Sequence, residues 1–130
     1  MPSFRLHHVT ITVQDRYLSA QWYENLFGTA TRTELTGAGW NRVRLQWPEG
    51  QILGITEHDR TASNSRFDES NIGADHIGFV TDSKEAVQWW ANRADELGIE
   101  RGQVEDAPYA WAVTLRDPDN IPIEFICYKN

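Results

Sequence analysis

Residues 6–13, LHHVTITV, and residues 74–82, ADHIGFVTD, carry one pattern twice: a histidine leading into a run where apolar and small or polar residues alternate. Each copy is followed by an amphipathic helical pattern and then by three further strand-like runs, and the leading histidines His8 and His76 stand 68 residues apart. A strand–helix–three-strand unit repeated at this period within 130 residues restricts the chain to a duplicated α+β fold. The expected organisation is two βαβββ modules, 1–58 and 73–130, with a linker over 59–72, giving two curved sheets related by a pseudo-twofold axis.

In the first module, RYLSAQWYENLFG places Leu18, Trp22, Tyr23, Leu26 and Phe27 on one helical stripe, with Asp15 to cap the start and Gly28 the end. Strands are expected over 29–35, 40–47 and 51–57, separated by TGAG and PEG turns. In the second, Asp82 and Glu85 form a D-x-x-E capping box, and Ala86, Val87, Trp90, Ala91, Ala94 and Leu97 make the buried stripe that Gly98 ends. Strands over 99–105, 110–116 and 121–128 follow, the last two joined by the turn DPDN.

Charge and length exclude several functions. Twelve basic against nineteen acidic residues give a net charge of −7, with no basic run, so nucleic acid and anionic membranes are poor partners. No apolar run approaches 18 residues, and one cysteine, Cys127, suits a reducing cytoplasm. A chain of this size buries a core without metal staples, so any metal would serve function. Six Trp, four Tyr and five Phe suit large buried surfaces or a wide ligand cavity.

Alternation then sorts residues onto faces. With Val9, Ile11 and Val13 packed under the helix, His8, Thr10 and Thr12 share the other face. Ile77 and Phe79 likewise leave His76, Gly78 and Val80 outside, and Ile123, Phe125 and Cys127 leave Pro122, Glu124, Ile126 and Tyr128. Three strands thus each offer one potential ligand to the face away from the helices: His8, His76 and Glu124. Two imidazoles and a carboxylate with open positions are the donor set of a catalytic Fe(II), Mn(II) or similar ion. His7 has core parity and sits at the strand's edge.

The succession LHHVTITVQDRYLSAQWYENLFG, DHIGFVTDS and RDPDNIPIEFI resembles the vicinal oxygen chelate superfamily, the group of glyoxalase I, bleomycin resistance protein and extradiol dioxygenases. The closing D-P-D-N-x-x-x-E-F is its most specific piece. The resemblance implies paired βαβββ modules forming a cupped, incomplete β-barrel, a homodimer, and a divalent ion (Fe, Mn, Ni, Co or Zn) held by His8, His76 and Glu124. Its chemistry would act on a small substrate that chelates the ion through vicinal oxygens, by dioxygenation or by glyoxalase-type isomerisation or lyase steps.

The chain departs from the resemblance at the fourth ligand that glyoxalase-like enzymes take from the last strand of the first module. Gly54 lies opposite Glu124 in the repeat, and register shifts bring Thr56 or His58 there instead. On the same sheet Trp40, Arg42 and Arg44 share the expected ligand face, where a guanidinium can grip a carboxylate. Thr10 and, from the rim, Tyr109 complete the expected substrate contacts, and His58 and Glu57 are the nearest candidates for a proton-abstracting base. The rival function is a non-catalytic resistance protein of the bleomycin-resistance type that sequesters a small molecule.

Overall fold

The computed structural model describes all 130 residues as two compact units, Met1–Ser65 and Arg66–Asn130. The first unit runs β1 (Val9–Thr12), α1 (Arg16–Phe27), β2 (Thr31–Gly37), β3 (Trp40–Gln46) and β4 (Ile52–His58). The second runs β5 (Ile77–Val80), α2 (Lys84–Glu96), β6 (Glu105–Asp106), β7 (Ala110–Arg116) and β8 (Pro122–Tyr128). Each is βαβββ with one open, four-stranded mixed sheet, ordered β1-β4-β3-β2 and β5-β8-β7-β6. The first strand of each unit pairs in parallel with the last, and the remaining pairs are antiparallel. The expected pair of βαβββ modules is what the chain forms.

The helices pack on one side of each sheet. In the first unit Tyr23 and Leu26 of α1 meet a sheet face built from Ile11, Val43, Leu45 and Ile55, all buried. Asp15 caps α1 as expected, its carboxylate accepting from the amides of Tyr17 and Leu18, and Gly28 ends it at φ 97°. The first turn differs from expectation: Leu18 is exposed, and the small Ser19 and Ala20 are buried in its place. Small side chains there let the helix approach the sheet closely, which a leucine would prevent.

In the second unit Val87, Ala91 and Ala94 of α2 are buried over Val113, Leu115, Ile123 and Phe125, with Trp90 stacked on Phe125 at 4.1 Å between ring centroids. The cap is Ser83, whose hydroxyl accepts from the amide of Ala86, and not Asp82 with Glu85. Both residues can cap, and the one in extended conformation immediately before the helix does so. Gly98, at φ 68°, ends α2 as expected.

The segment 99–105 forms no regular strand. Only Glu105–Asp106 pairs with β7, and Arg101 makes one bridge to Leu115. Arg101 turns its guanidinium back onto Asp95 of α2 at 2.9 Å, and this pairing holds the segment against the helix end.

Candidate functional site

The second unit builds its site from the DPDN turn upward. Asp117 Oδ1 accepts from the amides of Asp119 at 2.9 Å and Ile121 at 2.8 Å, closing the turn on itself. Asn120 takes a left-handed φ of 72°, and its side-chain amide donates to the carbonyl of Phe67 at 3.0 Å. Arg116 adds a two-pronged pair with Glu69, at 3.1 and 2.6 Å. The hydrogen bond from Arg116 holds the Glu69 carboxyl below its ordinary value.

This fastening sets the register of β8, in which Glu124 lies between Gly78 of β5 and Thr114 of β7. A methyl at position 78 would stand 3.5 Å from Glu124 Oε1, in ordinary contact, so the carboxylate lies directly over Gly78. His76, just ahead of β5, brings Nε2 to 3.8 Å from Glu124 Oε1, and its Nδ1 lies 2.7 Å from the carboxylate of Asp75. A carboxylate at Nδ1 favours the tautomer with the proton there and leaves the Nε2 lone pair free to bind an ion.

The first unit's sheet presents a different chemistry. Register aligns Thr33, Arg44, Gly54 and Thr10 in one row across the four strands, and Leu35, Arg42, Thr56 and Thr12 in the next. Arg42 Nε donates to Thr56 Oγ1 at 2.8 Å, and its guanidinium lies over Trp40, 4.4 Å from the ring centre. Trp40 in turn covers Gly37 at the β2–β3 turn. Gly54 is full up: a methyl there would lie 2.7 Å from Thr10 Oγ1 and 3.2 Å from Arg42 Cδ. No side chain at this position fits beside Thr10 and Arg42 as they stand.

His8 stands immediately before β1 with its Nδ1 2.8 Å from Nδ1 of His7, so one ring donates to the other. His58 pairs across the sheet with Trp40 and, with Gly39 and Asp59, lines an open hollow of about 730 Å³. Glu57 lies on the opposite, helix-facing side, where its Oε2 accepts from the amide of Arg16 at 2.8 Å and from the Arg16 guanidinium at 3.0 Å. Tyr109, 63% exposed, sits beside Tyr128 in the second unit.

The structure therefore brings His76 to Glu124, and Arg42, Arg44, Trp40 and Thr10 onto one face. Within either unit no three His, Cys, Asp or Glu side chains converge to hold an ion. Asp75 is the residue that strand parity misses. With His76 it lies ahead of the first paired residue of β5, where strand alternation does not reach, and only the dipeptide Asp75-His76 hints at the pairing.

The profile of the Glyoxalase/Bleomycin resistance protein/Dioxygenase superfamily matches residues 5–125. No curated protein matches the chain. Among solved structures, a glyoxylase/bleomycin resistance protein/dioxygenase domain from Frankia sp. EAN1pec is 26% identical, with a TM-score of 0.84 over 99% of this chain and 95% of its own. A lactoylglutathione lyase from Agrobacterium tumefaciens is 21% identical (TM-score 0.72; 98% and 96% covered), a likeness of fold. So is the genomically encoded fosfomycin resistance protein FosX from Listeria monocytogenes, at 22% identity (TM-score 0.68; 96% and 91% covered). With the profile spanning nearly every residue and the paired βαβββ units beneath it, the chain belongs to the Glyoxalase/Bleomycin resistance protein/Dioxygenase superfamily.

Proposed function

We propose that the protein is a divalent-metal-dependent enzyme in which His76 and Glu124, with His8 as third ligand, hold one ion for a small substrate bearing adjacent oxygens. The observation that carries this reading is His76 Nε2 at 3.8 Å from Glu124 Oε1, with Asp75 behind the imidazole. Two bonds of about 2.1 Å at a tetrahedral angle set the donors about 3.4 Å apart, so an approach of a few tenths of an ångström brings both to a common ion. The donor set also fits: neutral imidazole and carboxylate suit Fe, Mn, Co, Ni and Zn alike. His8 is assigned as third ligand because it holds in the first copy of the repeat the place that His76 holds in the second, and the same reading makes the protein a homodimer of the cytoplasm.

When bound, the ion supplies Lewis-acid polarisation of the substrate's oxygens. The chain's own residues do the rest. Asp75 fixes the His76 ring, and the residues around Asp117 keep β8, and with it Glu124, in register. Proton transfer falls to His58, exposed at the end of β4, because Glu57 is committed to the start of α1.

Metal analysis of protein purified without chelator tests this directly. About one Fe, Mn, Ni, Co or Zn per chain is expected in the parent and a large loss in His76→Ala. Iron would point to dioxygen chemistry, and nickel or zinc to isomerase chemistry. A parent protein that stays empty when offered each of these ions contradicts the reading and favours sequestration of a small molecule.

A further inference from the structure

In a chain of net charge −7, the open face of the β1-β4-β3-β2 sheet carries no carboxylate at all. Its ionisable strand residues are Arg42, Arg44 and His58, set among the hydroxyls of Thr10, Thr12, Thr33 and Thr56. Glu34 and Glu57 fall on the helix side by register, and there Arg16 pairs with Glu57 and Arg32 with Glu24. Arginine charge is thus neutralised on one side of the sheet and left open on the other.

The two open-face arginines differ. Arg42 is spent: its Nε is bonded to Thr56 and its plane is laid on Trp40. Arg44 Nε is buried and has no hydrogen-bond partner. A guanidinium stays charged at any physiological pH, so a buried N–H of this group without an acceptor is costly and marks a place for one. The acceptor cannot come from position 54, directly across from Arg44, since that residue is glycine and the space above it is taken by Thr10 and Arg42.

We propose that this face is an oxyanion subsite: Arg44, turning out from the position in which its Nε is covered, grips two oxygens of a carboxylate or phosphate-type group on a small ligand through Nε–H and a neighbouring Nη–H. Thr10 and Thr33, its row-mates across the sheet, supply hydroxyls beside it. Nε and one Nη present parallel donors that match two oxygens of one group, a geometry lysine lacks. The subsite needs no metal, so it stands or falls apart from the metal reading.

The test follows the Arg44 Nε–H resonance by NMR in protein labelled with 15N-arginine and kept in chelator. The signal is assigned by its loss in Arg44→Lys. Benzoate and inorganic phosphate are titrated separately. A saturable shift of this resonance with the Arg60 Nε–H unmoved is the expected result, together with an affinity at least about tenfold weaker in Arg44→Lys, read in both proteins from the backbone amides of Thr10 and Thr33. A response to benzoate alone identifies a carboxylate ligand, and a response to phosphate alone a phosphate-type one. No shift with either anion, or shifts shared equally by exposed arginines, overturns the proposal, and because the parent protein is itself the reporter, a poorly folded variant does not blur the outcome.

Discussion

At the scale of single residues, the two units use the same pseudo-equivalent places for opposite purposes. In the second, the last strand carries the carboxylate of Glu124 over Gly78 of the first; in the first, Gly54 on the last strand gives way to Thr10 on the first. Gly54→Ala is therefore expected to destabilise the protein by about 1–3 kcal/mol in urea unfolding, and by clearly less when Thr10→Ala removes the atoms it strikes. An equal loss in both backgrounds would show that the close approach to Thr10 is not the cause. Asp75 makes a second prediction: Asp75→Asn removes the charge behind His76 and lowers metal affinity about 10- to 100-fold while leaving the ion bound at saturation, as calorimetric titration would record.

The pH dependence belongs to the same scale. Hydrogen bonds from Arg116 and Arg101 hold Glu69 and Asp95 below their ordinary carboxyl values. A carboxyl lowered in the folded state contributes stability that is fully present above its unfolded value, about 4, and is lost as pH falls through the folded one. Thermal melts should thus fall as the pH drops below about 4, and Arg116→Gln should flatten that fall relative to the parent. An unchanged slope would remove the Glu69 pair from the account.

At the scale of elements, alternation made most of the fold legible. Period-2 patterning agrees with the register of Glu124, Thr10 and both face arginines, because buried strands leave one face for the apolar set. What escaped was whatever depends on partners remote in sequence or on a choice between adjacent residues. Glu57 has the composition of a general base, and its role at the start of α1 comes from Arg16, 41 residues away. Asp82 and Ser83 are both good caps, and only backbone conformation decides between them. Ser83→Ala should cost about 1 kcal/mol, whereas Asp82→Ala, exposed and outside the cap, should stay within about 0.5 kcal/mol. Equal losses in denaturant midpoint would restore the capping box. The segment 99–105 reads as a strand because its composition allows one, yet the Arg101–Asp95 pair draws it toward α2.

At the scale of the whole molecule, duplication is what motivates the metal proposal. One strand histidine is weak evidence, but a histidine repeated after 68 residues, with a carboxylate in the last strand of the second copy, is the reason for proposing one ligand set. The chain's divergence between its halves is equally informative: one unit carries His76 and Glu124, the other an arginine- and threonine-bearing face without carboxylates. The central claim is that both histidines and Glu124 share one metal. X-ray absorption at the edge of the bound ion tests it most directly. The account predicts a shell containing two imidazoles and a carboxylate oxygen at about 2.0–2.2 Å, reduced to one imidazole in His8→Ala. A shell with one imidazole or none in the parent, or one unchanged by His8→Ala, would contradict it.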